Sequence, residues 1–302
     1  MYKILLEIIL TNQCNKRCEY CDLDFRNTAL SYEQLERCIA FLEREAAYIE
    51  YLHVNFFWGE PLLEFEKLKY FIEHISLKNI KFSIGTNGVL LDQDKLDFFI
   101  KNNVSIHMSV DNITGISWLK KLDFSSYKNI EINFIQDPDF LFQSQKIADD
   151  INQLGIKNIN FMPVFATKKW SHKRFVEVGK VLKYLYSFSE RSIQLFWYYN
   201  GFSAEKQFIL DTDGFFYNDL DSLLWLQKQY SITQSETRAH IETVSKNMSL
   251  DAADISLKNL FDGYNEPALK ECVLWIPKTM WLEKDYILLA DVLTHVKQKF
   301  WV

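Results

Sequence analysis

Short apolar segments alternate with amphipathic segments over the first 200 residues of the chain. The apolar segments have the length of buried strands, whereas the segments between them repeat apolar residues at helical spacing. Strands are therefore predicted at Lys3–Thr11, His53–Trp58, Ile80–Gly85, Val104–Val110, Ile130–Ile135 and Ile159–Val164. Helices are predicted at Phe65–Ile75, Lys95–Ile100, Phe142–Leu154 and Phe175–Phe188.

Two helix boundaries carry specific signals. Ser31-Tyr32-Glu33-Gln34 has the form of a capping box, and the apolar residues Leu35, Ile39 and Leu42 follow at helical spacing. Gly155 follows the helix predicted at Phe142–Leu154, where a C′ glycine is expected. The capping box predicts a further helix that begins after Ser31, and Gly155 marks the end of the helix at Phe142–Leu154.

The repeated βα units predict an α/β protein with a parallel sheet and right-handed crossovers. Six units favour a partial (β/α)6 TIM-like barrel over the full eight-stranded form. After residue 200 the alternation ends: Phe208–Tyr217 predicts a hairpin with Asp213-Gly214 at its turn, and Tyr286–Val302 predicts a final amphipathic helix. We therefore predict a barrel over residues 1–200 and a C-terminal α+β extension over residues 201–302.

Composition and charge narrow the function. The formal net charge is −6 and there is no Lys/Arg block, which argues against a nucleic-acid partner. No apolar run approaches the roughly 20 residues of a membrane span, and no signal peptide is expected because Cys14 follows the first apolar run closely. Three of the five cysteines are clustered, which favours metal binding in a reduced, cytoplasmic compartment over disulfides.

Cys14, Cys18 and Cys21 have the spacing C-x₃-C-x₂-C directly after the first predicted strand. Thiolates select zinc or iron–sulfur clusters. A structural zinc takes four ligands, whereas three cysteines on a [4Fe–4S] cluster leave one iron open to another ligand. The residues alone also allow a zinc site completed by Cys38, Cys272 or a histidine, or three unrelated core thiols.

Glycines and polar residues follow the next three predicted strands. The segments are Trp58-Gly59-Glu60-Pro61, Gly85-Thr86-Asn87-Gly88 and Ser109-Val110-Asp111. In barrels of parallel strands the working residues gather at the C-terminal ends of the strands. Each segment alone could be a turn or a cap, but their joint occurrence after the cysteine loop predicts a ligand site.

These motifs together resemble the radical S-adenosylmethionine (SAM) superfamily over about residues 3–165. In that family C-x₃-C-x-Φ-C binds a [4Fe–4S] cluster, and Cys14, Cys18 and Cys21 match its cysteines while Tyr20 matches the aromatic position. The family's G-G-E-P segment receives the amino group of SAM and is matched here with Trp58 in place of the first glycine. The resemblance implies a [4Fe–4S] cluster and S-adenosyl-L-methionine as cofactors, with SAM contacts at Tyr20, Gly59, Glu60, Pro61, Asn87, Ser109 and Asp111.

The Thr86-Asn87-Gly88 and Ser109-Val110-Asp111 segments are similar to those of the peptide- and protein-maturing branch. The segment after residue 200 is similar to the SPASM/twitch extension of that branch, but only Cys272 remains there, so no auxiliary cluster is expected. The resemblance implies epimerisation or cross-linking of a ribosomally synthesised peptide or a protein. It also implies a reductant such as flavodoxin or ferredoxin. Because the cysteine loop starts at residue 14, no N-terminal peptide-recognition domain is expected, and a separate partner is expected to deliver the substrate.

Several alternatives stay open at this point. Cys272 is either a small core residue or a hydrogen-atom donor to a substrate radical, as in some peptide epimerases. The substrate could instead be a small metabolite or nucleoside, and Trp58 favours a metal-binding scaffold that has lost catalysis. No cobalamin-binding domain is expected before the cysteine loop.

Overall fold

The computed structural model describes residues 1–18, 21, 25–111, 113, 116–124, 127–163, 174, 177–181, 184, 192–195, 206–218, 246–253 and 255–262. The chain forms two compact units. The first comprises Met1–Thr86, Asp94–Ile106 and Asn200–Trp275, and the second comprises Asn87–Gln93, His107–Tyr199 and Ile276–Val302. The described helices include none that is long and apolar enough to cross a membrane.

Strands and helices alternate through most of the described chain. The strands are β1 Tyr2–Ile8, β2 Ile49–Phe56, β3 Ile80–Thr86, β4 Ser105–Asp111, β5 Ile130–Gln136, β6 Asn158–Pro163, β7 Ser192–Leu195, β8 Lys206–Leu210, β9 Phe215–Asn218 and β10 Lys246–Ser249. The helices are α1 Tyr32–Arg44, α2 Phe65–His74, α3 Gln93–Lys101, α4 Leu141–Gln153 and α5 Leu257–Asp262.

Parallel pairing dominates each unit. In the first unit the strand order is β10-β9-β8-β1-β2-β3. There β8, β1, β2 and β3 run parallel, while β9 and β10 are antiparallel additions. In the second unit β5, β6 and β7 pair in parallel. The predicted α/β class with parallel strands is therefore confirmed.

The six predicted strands and the first four predicted helices up to residue 155 are confirmed, with ends that shift by a few residues. Ser31 Oγ accepts from the backbone N–H of Gln34 at 3.1 Å, and Gln34 Oε1 accepts from the N–H of Ser31 at 2.8 Å, which completes the capping box. Gly155 takes a φ of +69° just after α4. The helix predicted at Phe175–Phe188 falls largely outside the described residues, and the one at Tyr286–Val302 does so entirely.

Two features after residue 190 were not predicted correctly in detail. β7 adds a parallel strand beside β6, although its four residues are too few to produce a clear periodic pattern. The β8–β9 hairpin is confirmed, but its connection is wider than an Asp213-Gly214 turn, since the Asp211 N–H donates to the Phe215 carbonyl oxygen at 3.1 Å. Gly214 ends this connection with a φ of +78°.

β8, the first strand after residue 200, belongs to the sheet of the first unit. β8 pairs in parallel with β1, and the ladder continues past the strand because the Ile9 N–H donates to the Leu210 carbonyl oxygen at 2.9 Å. The division into a barrel of residues 1–200 and an extension of residues 201–302 stays a prediction.

The two faces of the first unit's sheet differ in chemistry. One face is apolar and packs against helices, as the edge-on contact of Phe56 with Phe71 of α2 illustrates. Polar residues on the strands are joined by hydrogen bonds: Asn55 Nδ2 donates to Glu7 Oε1 at 3.1 Å, and Ser83 Oγ donates to Asn55 Oδ1 at 2.8 Å. Buried polar groups such as Glu7 and Ser83 are generally paired in folded proteins.

Candidate metal and cofactor site

The cysteine loop begins directly after β1 and is closed at its base by backbone pairing. The Asn12 N–H donates to the Thr28 carbonyl oxygen at 3.0 Å, and the Leu30 N–H donates to the Leu10 carbonyl oxygen at 2.9 Å. Thr11 and Ala29 form an antiparallel bridge between these two contacts. The chain therefore leaves and returns at the same place at the C-terminal end of β1.

All three loop cysteines carry partly exposed thiols, and none is in a disulfide. The Lys16 N–H lies 3.4 Å from Cys14 Sγ, and the Cys21 N–H donates to the Cys18 carbonyl oxygen at 3.0 Å. Hydrogen bonds to sulfur tune the potential of iron–sulfur clusters. Three accessible thiols on one loop thus fit the donor set of a [4Fe–4S] cluster with one open iron.

In the described part of the chain, no three Cys, His, Asp or Glu side chains converge as a site for a single metal ion. A four-iron cluster bonds each cysteine to a separate iron, so its ligands do not converge on one atom. Tyr20, predicted to lie against SAM, falls outside the described residues.

Arg17 braces the loop from within. Its guanidinium lies 4.1 Å from the centroid of the Phe25 ring, and Nη1 donates to the Cys14 carbonyl oxygen at 2.6 Å. A cation over an aromatic face is attracted by about 0.5–1 kcal/mol at an exposed site. Arg17 therefore links the beginning of the loop to its returning arm, the segment from residue 25 to residue 28 that leads back to β1.

The Gly59-Glu60 turn after β2 lies directly against the segment that precedes Cys14. The Glu60 N–H donates to the Gln13 carbonyl oxygen at 2.8 Å. Gly59 has a φ of +58°, and a Cβ there would lie 2.2 Å from the Thr11 carbonyl oxygen and 2.6 Å from that of Gln13. Only glycine allows this approach, so the two motifs are locked together through backbone contacts.

Trp58 has a φ of +64°, so it takes a left-handed backbone conformation immediately before Gly59. Such a conformation costs roughly 1–2 kcal/mol for a residue with a Cβ. The Trp58 ring packs edge-on against Phe57, with 5.6 Å between ring centroids. Trp58 stands where the G-G-E-P segment has its first glycine. It thus keeps the left-handed backbone that favours glycine while it carries a large aromatic side chain.

Glu60 is fully buried, with 0% of its surface exposed. Its Oε1 accepts from the Leu62 N–H at 3.1 Å, which caps the 3₁₀ helix Pro61–Glu64, and from Thr86 Oγ1 at 2.7 Å. Pro61 is buried at the first position of that helix. The carboxylate therefore joins the end of β2 to the end of β3, and direct contacts of Gly59, Glu60 and Pro61 with SAM stay a prediction.

The other predicted SAM residues belong to the second unit. Asn87 is half-buried and its Oδ1 accepts from the Val89 N–H at 3.0 Å. Ser109 is half-buried near the C-terminal end of β4, and the buried Asp111 accepts from the Ile113 N–H at 3.0 Å through Oδ1. Asn87 and Asp111 therefore both organise turns, and their contacts with SAM stay a prediction.

The two cysteines outside the loop differ in what the structure says of them. Cys38 is completely buried in α1, and desolvation raises the pKa of its thiol from 9.0 to about 12. A neutral buried thiol is a core residue and does not supply a thiolate ligand. Cys272 falls outside the described residues, so its predicted role as a hydrogen-atom donor stays a prediction.

Sequence reasoning missed a partly buried polar cluster beside the loop. It consists of Asn12, Arg26, Thr28, Asp211 and Thr212. The side chains of Asn12 and Asp211 lie 3.2 Å apart although 199 residues separate them in the chain. No local pattern marks such a pair, and the proximity of Asn12 to Cys14 was the only available signal.

A family model matches the first part of the chain. Residues 8–125 match the model of the Radical SAM superfamily. This span contains the cysteine loop and the segments Trp58–Pro61, Gly85–Gly88 and Ser109–Asp111.

Relatives and solved structures of different function are similar to the chain. GTP 3′,8-cyclase of Clostridium perfringens strain SM101 is 30% identical over 205 residues, which are 59% of this chain and 61% of that protein. Radical SAM cyclopropyl synthase TigE of Paramaledivibacter caminithermalis is 26% identical over 129 residues, which are 35% of this chain and 27% of that protein. The structure of native anSMEcpe with bound AdoMet and Kp18Cys peptide is matched with a TM-score of 0.60 and 20% identity, over 89% of this chain and 83% of that one.

The extent of these similarities differs between sequence and structure. The chain spans 24% to 61% of the length of the curated relatives it matches. The likeness to anSMEcpe covers most of both chains, and at 20% identity it shows the fold alone.

Proposed function

We propose that this chain, whose residues 8–125 match the Radical SAM superfamily model, cleaves SAM reductively and removes a hydrogen atom from a substrate. The observation that carries the proposal is the contact between the two motifs. Glu60 and Gly59 pack against the backbone of residues 11–13, immediately before Cys14. A cysteine loop and an amine-binding turn held side by side are what SAM needs at a cluster with one open iron.

Each motif residue has a defined task in this proposal. Cys14, Cys18 and Cys21 would hold the [4Fe–4S] cluster, which together with bound SAM supplies a 5′-deoxyadenosyl radical. Gly59 keeps the turn flush with the loop base, and Thr86 holds the buried Glu60 carboxylate in place. Tyr20, Pro61, Asn87, Ser109 and Asp111 are proposed to line the SAM site.

The proposed substrate is a ribosomally synthesised peptide or a protein, changed by epimerisation or cross-linking. Two likenesses support this class: anSMEcpe was solved with a bound peptide, and TigE is named a cyclopropyl synthase. For an epimerase, Cys272 is the proposed hydrogen-atom donor. In the C-terminal segment no auxiliary cluster is proposed, because Cys272 is the only cysteine after residue 38.

A nucleotide substrate is the second candidate. The similarity to GTP 3′,8-cyclase reaches 30% identity over 59% of this chain, which favours a nucleoside triphosphate over other small metabolites. The formal net charge of −6 offers no general attraction for an anionic substrate. The two candidates can be separated by measuring whether the protein binds a precursor peptide or a nucleoside triphosphate.

The proposed setting follows from the chemistry. Accessible thiols and a low-potential cluster require a reducing compartment, so we place the chain in the cytoplasm, with flavodoxin or ferredoxin as the reductant. A separate peptide-recognition partner is proposed to deliver the substrate.

The test begins with anaerobic reconstitution with iron and sulfide, followed by reduction in the presence of SAM and chromatography for 5′-deoxyadenosine. We expect about four irons per chain and formation of 5′-deoxyadenosine. Single Ala substitutions at Cys14, Cys18 or Cys21 should abolish the cluster, whereas Cys38→Ala is the matched control and should keep it. A full iron complement in a loop variant contradicts the ligand set, and about eight irons in the parent protein contradicts the single cluster.

The substrate class is tested with the reconstituted protein. Stimulation of 5′-deoxyadenosine formation by GTP, and not by precursor peptides encoded near the gene, would favour the nucleotide candidate. With an epimerised peptide, Cys272→Ala should still form 5′-deoxyadenosine but fail to invert the residue. An intact cluster that binds no SAM would leave a metal-binding scaffold as the function.

A further inference from the structure

The β8–β9 connection reaches the residue that leads into the cysteine loop. Asn12 is 4% exposed, and its Nδ2 lies 3.2 Å from Asp211 Oδ1 and 2.9 Å from Thr212 Oγ1. The parallel ladder of β1 and β8 pairs Ile8 with Leu210, and the Ile9 N–H still donates to the Leu210 carbonyl oxygen, so the segments that follow the two strands begin side by side. The paired strands therefore position the start of the β8–β9 connection beside the start of the cysteine loop.

Asp211 also contacts the returning arm of the loop. Its Oδ2 lies 3.4 Å from Nη2 of Arg26, in an ion pair with side chains 9% and 30% exposed. Thr28 Oγ1 accepts from Thr212 Oγ1 at 3.0 Å and lies 3.2 Å from Asn12 Nδ2. Residues 12 and 26–28 flank the three cysteines, so one carboxylate is bonded to both ends of the ligand loop.

Hydrogen-bond chemistry makes this carboxylate the centre of the cluster of side chains. An ionised carboxylate accepts only, and Asp211 receives donors from Asn12, Arg26 and the Thr212 N–H, the last at 2.6 Å. Hydrogen bonds to charged groups are stronger than those between neutral groups, and a buried donor left without its acceptor is costly. The contacts with Asn12 and Arg26 therefore join the two ends of the cysteine loop through one carboxylate, and the Thr212 N–H helps to orient that carboxylate.

The connection that carries Asp211 is itself rigidly held. The Gly214 N–H donates to the Asp211 carbonyl oxygen at 2.9 Å, and the Leu250 N–H donates to the Gly214 carbonyl oxygen at 2.8 Å. Asp213, the other aspartate of the connection, accepts within the hairpin from the Phe215 N–H at 3.0 Å and from Tyr217 Oη at 2.6 Å. The two aspartates thus have different contacts: Asp213 bonds within the hairpin, and Asp211 bonds to the residues that flank the cysteine loop.

We propose that Asp211 is a positioning residue for the cluster: it clamps Asn12 and Arg26 so that Cys14, Cys18 and Cys21 are preorganised for the metal. This inference rests on the proposed function, since it assigns a role toward the [4Fe–4S] cluster of that site. Preorganisation lowers the conformational entropy that ordering the ligands would otherwise cost. The same carboxylate places a negative charge beside the ligand loop, which favours the oxidised cluster.

The test compares Asp211→Asn with the matched control Asp213→Asn, from the same connection. The readouts are iron and sulfide per chain, the rate at which a chelator removes iron, and the midpoint potential of the cluster followed by electron paramagnetic resonance. For Asp211→Asn we expect iron loss about tenfold faster, which corresponds to about 1.4 kcal/mol, and a midpoint potential shifted upward. Asp213→Asn should match the parent protein in both.

Arg26→Gln provides a second variant that leaves the carboxylate in place. Loss of a positive charge should shift the midpoint potential downward, opposite to Asp211→Asn, and a purely structural defect would not reverse the sign. Equal potentials and equal iron loss in the two aspartate variants would overturn the positioning role while the proposed function stands. A parent protein that takes up no iron would overturn both.

Discussion

Thr86 donates a 2.7 Å hydrogen bond from Oγ1 to Oε1 of Glu60, a carboxylate with none of its surface exposed. The two residues come from consecutive strand ends, and both lie in segments that the sequence marks as ligand-binding. Through this bond the Glu60 side chain connects the turn after β2 to the end of β3. Its side chain therefore helps to set the shape of the turn.

A double-mutant cycle measures this bond. Thr86→Val and Glu60→Ala should each destabilise the first unit, with a coupling energy of about 1 kcal/mol because the residues are in direct contact. The measurement is urea unfolding of the metal-free protein. Thr86→Val combined with Glu66→Ala, an exposed glutamate of α2, is the control and should be additive within about 0.5 kcal/mol. Additivity in both cycles would contradict the assignment.

A comparison of substitutions at Gly59 and Gly155 separates the steric cost of a Cβ from the cost of the left-handed backbone conformation. Both have positive φ, but a Cβ on Gly59 meets backbone oxygens at 2.2 and 2.6 Å, whereas a Cβ on Gly155 meets nothing within 4 Å. Gly155→Ala should lose about 1–2 kcal/mol from the left-handed conformation. Gly59→Ala should lose at least twice as much, measured by denaturant unfolding and soluble yield, because backbone atoms cannot move aside. Equal losses would show that the close approach is relieved in solution.

Trp58 should reverse the usual order of Ala and Gly. Because its φ is +64°, Trp58→Gly should be more stable than Trp58→Ala by about 1–2 kcal/mol. At the neighbouring Phe57, which is not among the non-glycine residues with positive φ, Phe57→Ala should be more stable than Phe57→Gly. Thermal unfolding of the four variants measures both differences. The same order at both positions would mean that Trp58 does not hold the left-handed conformation.

Burial should protect Cys38 from alkylation. Its pKa is raised from 9.0 to about 12, so the folded protein keeps the thiol neutral at pH 8.5 while the partly exposed Cys14, Cys18 and Cys21 react with iodoacetamide. The unfolded chain ionises this thiol first, so its contribution to stability is present below about pH 9 and falls as the pH rises toward 12. Peptide mapping of the metal-free protein, folded and in denaturant, measures the difference. Labelling of Cys38 in the folded protein as fast as of the loop cysteines would contradict it.

Much of the fold could be predicted because it depends on local order. The strands and helices up to residue 163 follow from apolar periodicity, and α1 begins where the capping box at Ser31 predicts. The hairpin after residue 205 was predicted with Asp213-Gly214 at its turn. Its wider connection was not predicted, because Asp211 is bonded both across the hairpin and to Asn12. Turn type there follows from a tertiary contact.

The sequence by itself determined where the candidate site lies in the chain and predicted its chemistry. Three closely spaced cysteines after a buried strand, followed by glycine and polar segments at later strand ends, are local patterns, and they predict a cluster loop and a cofactor site without coordinates. Only the tertiary structure decided which distant groups hold that loop: Glu60 on Gln13, Thr86 on Glu60, and Asp211 on Asn12 and Arg26. Such pairs depend on strand order and register, which local periodicity does not encode, and a buried polar group finds its partner wherever the packed sheet brings one.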